Sequence, residues 1–249
     1  MTINWRPVAA VVAALMVLSG CGGGGDSTAK PKAEQSSTKQ SSPPPRPLEG
    51  LSPGQILEKS VAAARAEGSV HISGVAEQVS MDIRTSATGD GQGTLSFPGE
   101  GKVDVLVRAG QIYLKGDKVF WTKTANKSVA QILSGKWLKD DKKDPQFGDL
   151  AKIISLEDFL KEGLKPEGRM TRVPGRDVDG QATVGLLDTT SDGQQVGTLF
   201  VAELDAPLPL LVVSAEGEQV SLSEWGEPVE VAAPPQDLVI DIAELQNAG

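Results

Sequence analysis

Cys21 is the only cysteine in a chain of 249 residues, and it follows Leu18-Ser19-Gly20 at the end of a short apolar run. Sulfur is the best nucleophile among the side chains, and this setting suits one reaction. A diacylglyceryl group is transferred to the thiol, the chain is cut between Gly20 and Cys21, and the new amino terminus is N-acylated. Ser19 and Gly20 are small enough to let the scissile backbone enter a peptidase groove. Arg6 is the only charged side chain among the first 20 residues, and residues 7–18 carry no charge. That run is too short for a span, which needs about 20 apolar residues, but it has the length of a signal-peptide h-region. One acyl chain holds a protein marginally, whereas two or more hold it stably. The expectation is a signal peptide over 1–20 and a lipoprotein held by lipidated (diacylglyceryl, palmitate-type) Cys21 on the extracytoplasmic face of the cell membrane.

The rest of the chain offers little for catalysis. His71 is the only histidine, so a Ser-His-Asp triad must use it, and no Gly-x-Ser-x-Gly elbow accompanies it. Its position between Val70 and Ile72 on an alternating stretch points its ring away from theirs. With no thiol to spare, a zinc site lacks ligands. Asp140, Asp141 and Asp144 alternate with Lys139, Lys142 and Lys143, which reads as a solvated loop rather than a calcium site. Gly89-Asp90-Gly91-Gln92-Gly93 lacks the strand–helix context of a dinucleotide loop and reads as a flexible hairpin. The expectation is no catalytic residue, no metal and no cofactor: a protein that is not an enzyme. Removing residues 1–20 takes the formal charge from −9 to −10. Such a body argues against nucleic-acid partners, which require Lys and Arg against phosphate, and against flat adsorption on anionic lipid.

The elements follow from punctuation and period. Residues 21–50 form a tether: four glycines, then a tract rich in Ser, Thr, Lys, Gln and Pro ending Pro43-Pro44-Pro45-Arg46-Pro47. It is too polar to fold and reaches roughly 30 Å as a flexible coil. Residues 51–249 form one domain. Ser52-Pro53-Gly54-Gln55 supplies an N-cap, a proline at the first helical position and the box glutamine. Ile56, Leu57, Val61 and Ala64 share a helical face, and Gly68 ends it. The period then becomes two, with strands expected over 69–77, 79–88, 102–108 and 111–115. A helical middle follows, with helices expected over 117–133, 147–154 and 156–164 and an extended piece at 135–138. Strands return over 169–173, 181–188, 195–203, 210–215 and 219–224, with Asp179-Gly180 and Asp192-Gly193 as hairpin turns. Residues 238–245 are left as a strand end or a short helix. Helix, meander, helices, meander spells an α+β domain on one large antiparallel sheet.

Such a sheet can leave a concave apolar face. Loosely covered, that face is an acyl-chain cavity; tightly covered, it is an ordinary core. The candidate lining is Val103, Val105, Val107, Ile112, Leu114, Leu186, Phe200, Leu211 and Val213.

One resemblance runs through roughly residues 50–235. After the lipid-attachment signal and tether come Gln55 to Ala64, then Gly110-Gln111-Ile112-Tyr113-Leu114-Lys115-Gly116, Phe120-Trp121 and Gly135-Lys136-Trp137-Leu138. Asp179-Gly180-Gln181 follows, then Ser221-Leu222-Ser223-Glu224-Trp225-Gly226 and Pro228-Val229. The order of these pieces resembles actinobacterial lipoproteins of the LppX/LprA/LprF/LprG kind, which share the LolA/LolB-like fold. The resemblance implies a curved antiparallel half-barrel with helices over its concave face. It also implies non-covalent binding or shuttling of lipids or lipidated molecules in the envelope, and it brings no catalytic residue with it. The alternative is an envelope scaffold or sensor with a filled core and no lipid cargo. A monomer is the default.

Overall fold

The computed structural model describes residues 47–141 and 148–242, apart from the side chain of Asp149. The signal peptide, Cys21 and most of the tether lie outside the described residues, as do Lys142, Lys143 and Asp144.

The domain opens with helix α1 (Pro53–Glu67). The Ser52 hydroxyl accepts from the Gln55 amide and the Gln55 side chain accepts from the Ser52 amide, while Gly68 ends the helix in the left-handed region at φ 77°. A meander follows: β1 (Ser69–Ala76), β2 (Val79–Ser86), β3 (Gly91–Phe97), β4 (Gly101–Arg108) and β5 (Gln111–Gly116). Helices α2 (Lys118–Thr124) and α3 (Lys127–Ile132) come next, then β6 (Trp137–Asp141), α4 (Gly148–Ile153) and α5 (Leu156–Asp158), which runs into a π-turn over Phe159–Gly163. A second meander holds β7 (Arg169–Val173), β8 (Asp177–Val178), β9 (Gln181–Thr189), β10 (Gln195–Ala202), β11 (Pro209–Ser214) and β12 (Gln219–Ser223). The last strand among the described residues is β13 (Val239–Asp241).

The strands form one curved, unclosed sheet in the order β13-β6-β5-β4-β3-β2-β1-β12-β11-β10-β9-β7, with the short β8 beside β9. The two meanders join at its middle, where β1 pairs β12. The expected α+β architecture is therefore present, with one difference. β13 lies parallel to β6, which makes the sheet mixed. A strand that returns after some hundred residues is free to arrive in either direction, and local sequence does not choose.

Three expected boundaries also shift. The glycine-rich stretch is the turn and start of β3, not only a loop. Gly93 is required there because a β-carbon would lie 2.8 Å from the Ile83 Cα atom. The single helix expected over 117–133 is two, because Asn126 caps a new start by accepting from the Val129 amide. The segment 156–164 departs from an α-helix into the π-turn after Asp158.

The core lies on the inner face of the sheet. One cross-strand row reads Leu222, Ile72, Ile83, Gly93, Val105, Leu114 and Leu138. Helices α2 to α5 cover that row and its neighbours with Phe120, Trp121, Ala130, Leu133, Leu156 and Leu160, followed by Leu164 after the π-turn. Burying each large aliphatic of this kind contributes about 1.5–3 kcal/mol. Two docking points use bare backbone. A β-carbon on Gly116 would strike the Phe120 ring and come within 2.8 Å of Trp121, and one on Gly91 would lie 2.6 Å from Ile154. The buried Thr85 hydroxyl donates to the Ile154 carbonyl, fixing the end of α4 on the sheet. Helix α1 bridges to a second cluster, in which Ile56 packs with Leu48, Val184, Leu186 and Val201.

Candidate functional site

The inner face was the expected place for an apolar ligand, and the structure divides the nine candidate residues. Val103, Val105, Val107, Ile112 and Leu114 all sit in the main core, each no more than 2% exposed. Their side chains are therefore packed into the core in this conformation. Leu186 belongs to the second cluster. Phe200, Leu211 and Val213 point the other way. Cross-strand register places Leu199 with Leu186 and Val212, and Phe200 with Gly185 and Leu211. Because side chains alternate along a strand, β10 and β11 present Leu199, Val201 and Val212 inward. Phe200 instead takes the guanidinium of Arg176 over its ring at 4.6 Å, on the outer face. The sequence could not settle this parity, because all of these positions are apolar and a register shift lies between Phe200 and Val201.

The cover over the inner face carries exposed apolar residues of its own: Val119, Ile132 and Ile153 are 48%, 66% and 41% exposed. The Trp121 indole nitrogen on α2 and the Ser60 hydroxyl on α1 are buried without a hydrogen-bond partner among the described residues. Unmet polar groups of this kind cost about 1–3 kcal/mol each.

The polar chemistry gathers on the outer face. His71 Nε2 lies 2.9 Å from Asp82 Oδ1, and its Nδ1 lies 3.5 Å from Ser223 Oγ, Arg84 Nη2 and Glu224 Oε1. The one histidine, a serine and a carboxylate are thus neighbours. The geometry is nevertheless that of a charge network. Three groups share Nδ1 at a distance beyond the roughly 2.6–3.2 Å reach of a general base, and the site lies on central strands whose backbone N–H groups serve the ladder instead of an oxyanion. Arg84 also donates to both oxygens of Glu224, whose carboxyl this hydrogen bond holds below the ordinary range. Among the described residues, no cluster of three His, Cys, Asp or Glu side chains is arranged to hold a metal.

Beside this network a groove of about 630 Å³ opens between the sheet and the segment that joins β12 to β13. That segment crosses the outer face as a strap. It is pinned where the Gly226 amide donates to the Ser69 carbonyl, where the Ser69 hydroxyl donates to the Glu227 carbonyl, and where Lys136 Nζ donates to the Asp237 carbonyl. Asp82, Arg84, Gln92, Thr94, Asp104 and Leu106 form the floor, Trp137 one end, and Ala232, Ala233, Pro234 and Pro235 the roof. Sequence reading missed this site. Its floor residues were visible as the polar half of alternating strands, but nothing local announces a strap that runs across the six strands between β12 and β13.

Neither a protein-family model nor a curated protein sequence matches the chain. Solved structures do. LprF from Mycobacterium bovis superposes at a TM-score of 0.51 with 19% identity, over 73% of this chain and 96% of that one. The Mycobacterium tuberculosis lipoprotein LppX gives 0.46 at 16% identity, over 73% of this chain and 100% of that one. An uncharacterised conserved protein from Thermus thermophilus gives 0.41 at 10%, over 77% and 99%. The LprF match establishes that this chain has the fold expected from the resemblance: a large open sheet backed by a few helices.

Proposed function

We propose that this chain is a lipid-anchored binding protein of the cell envelope, which takes up acyl-bearing molecules without catalysing a reaction. Uptake takes place between the inner face of the sheet and its helical cover. The observation that carries the reading is the contrast between these two layers. The sheet presents a continuous apolar face, while the cover is assembled from helices of seven, six, six and three residues. Helices so short have little stability of their own, and α2 and α4 rest on glycine backbone at Gly116 and Gly91. The cover is therefore the layer that yields to a ligand, and the packed arrangement described above is its closed form. The shared fold with LprF supports this reading, as does the lipid-attachment signal at Cys21. The envelope location and the anchor belong to the same proposal; none of the helices among the described residues is long and apolar enough to cross a membrane.

The test is uptake of a fluorescent acyl probe by delipidated full-length protein. Saturable uptake is expected, with protection of Trp121 from a soluble quencher lost as the cover lifts. No saturable uptake overturns the proposal and favours the second reading, an envelope interaction module with a permanently filled core. That alternative draws on one observation, the near-zero exposure of the five β4 and β5 residues.

A further inference from the structure

The geometry points to the outer-face groove beneath the strap as a second binding site, one that takes a neutral oligosaccharide. The argument starts from register. Asp82, Thr94, Asp104 and Lys115 are successive cross-strand partners, and Arg84, Gln92 and Leu106 form the adjacent row. Neighbouring strands lie about 4.8 Å apart. The floor is thus a regular grid of hydrogen-bonding side chains, with Leu106 as its apolar member. The roof and one end are different in kind, being Ala232, Ala233, Pro234, Pro235 and the half-exposed indole of Trp137.

The charged groups on this floor already have partners in the sheet. Asp82 lies against His71 and Arg84, Arg84 pairs with Glu224, and Asp104 accepts from Thr94, while the Lys115 ammonium sits 5.6 Å from the centre of the Trp137 ring and leaves its other face to a ligand. What remains open is hydrogen-bonding capacity, since a carboxylate offers about four acceptor sites and few of these are used. An anionic ligand meets the carboxylates of Asp82 and Asp104 and an arginine already committed elsewhere. An acyl chain would strip water from these charged groups without replacing their hydrogen bonds. A divalent cation cannot bridge the two carboxylates, which sit two strands and therefore roughly 10 Å apart. A sugar ring meets each requirement, because its hydroxyl edge can exchange hydrogen bonds with the grid while its C–H face lies on the indole and prolines. The negative face of an aromatic ring attracts such C–H groups. The volume of about 630 Å³ falls within the ordinary range for small-molecule sites and leaves room for a short oligosaccharide.

The site is independent of acyl uptake, because it lies on the opposite face of the sheet. The test uses full-length protein, applied to a surface carrying neutral trisaccharides of glucose, mannose and galactose. An acidic galacturonate trisaccharide and the polyamine spermine serve as comparators, and acyl-probe uptake is followed in parallel. Retention on at least one neutral trisaccharide is expected, lowered at least tenfold by Trp137→Ala and by Gln92→Leu, with acyl uptake unchanged in both. Gln92 is exposed and its amide nitrogen donates to the Glu230 carbonyl of the strap at 3.4 Å, so its substitution acts on the floor and roof of the groove and leaves the core untouched. Binding to none of the neutral sugars overturns the proposal. So does preference for the acidic sugar or spermine, or neutral binding that survives both substitutions.

Discussion

Arg84 on β2 donates through Nε and Nη2 to both carboxylate oxygens of Glu224, at 2.9 and 3.0 Å, across 140 residues of sequence. The pair clips the start of the strap to the first meander. Glu224 carries a lowered pKa, chiefly because of that hydrogen bond and then because of the nearby positive charge. A lowered folded-state pKa means that the pair stabilises the fold above the ordinary carboxylate range and ceases to do so as pH falls below it. Thermal unfolding of Glu224→Gln should therefore show a lower Tm than the parent at neutral pH. The gap should close progressively as the solution is acidified past the ordinary glutamate range. A gap that persists unchanged in acid would assign the effect to shape instead of charge.

Gly116 should be the hinge point of the cover. A methyl group there has no room against Phe120 and Trp121, so Gly116→Ala should displace α2. Overpacking of this kind costs about 1–3 kcal/mol. A red-shifted tryptophan emission together with faster acyl-probe uptake is expected. Unchanged emission would mean that the helix adjusts in place.

The two sets of apolar candidates should separate energetically. Ile112→Ala removes a fully buried side chain and should cost about 2–5 kcal/mol. Val213→Ala, half-buried on the outer face, should cost about 1 kcal/mol, a typical value for a point substitution. Denaturant unfolding of both variants checks the difference. Equal losses would contradict the facing assigned to β11.

That comparison marks the limit of what the sequence could reveal. The cap at Ser52, the stop at Gly68 and the hairpin turns at Asp179-Gly180 and Asp192-Gly193 are local devices, and each was legible. So were the inward positions of β4 and β5, where Val103, Val105 and Val107 alternate with polar partners. On β10 and β11 both faces are apolar, so Phe200, Leu211 and Val213 carry no mark of the side they occupy. The groove was illegible for another reason. Asp82, Asp104 and Trp137 come from three separate segments, and only sheet order and the path of the strap bring them together.

The anchor should behave independently of the domain. Cys21→Ser removes the only thiol and should move the protein from the membrane fraction to the soluble fraction without changing its Tm. Fractionation that leaves the variant on the membrane would exclude lipidation at this position.

The seam between β1 and β12 has a consequence for how the molecule comes into being. Ile72 faces Leu222 at the centre of the sheet, so the strand laid down first waits some 150 residues for its second neighbour. Closing so long a loop is slow. Until it closes, the first meander carries a bare edge able to pair with any passing strand. Shortening the chain from its far end past Gln219 would thus not trim a border. It would split the sheet down the middle, and a truncated product should aggregate instead of persisting as a smaller domain.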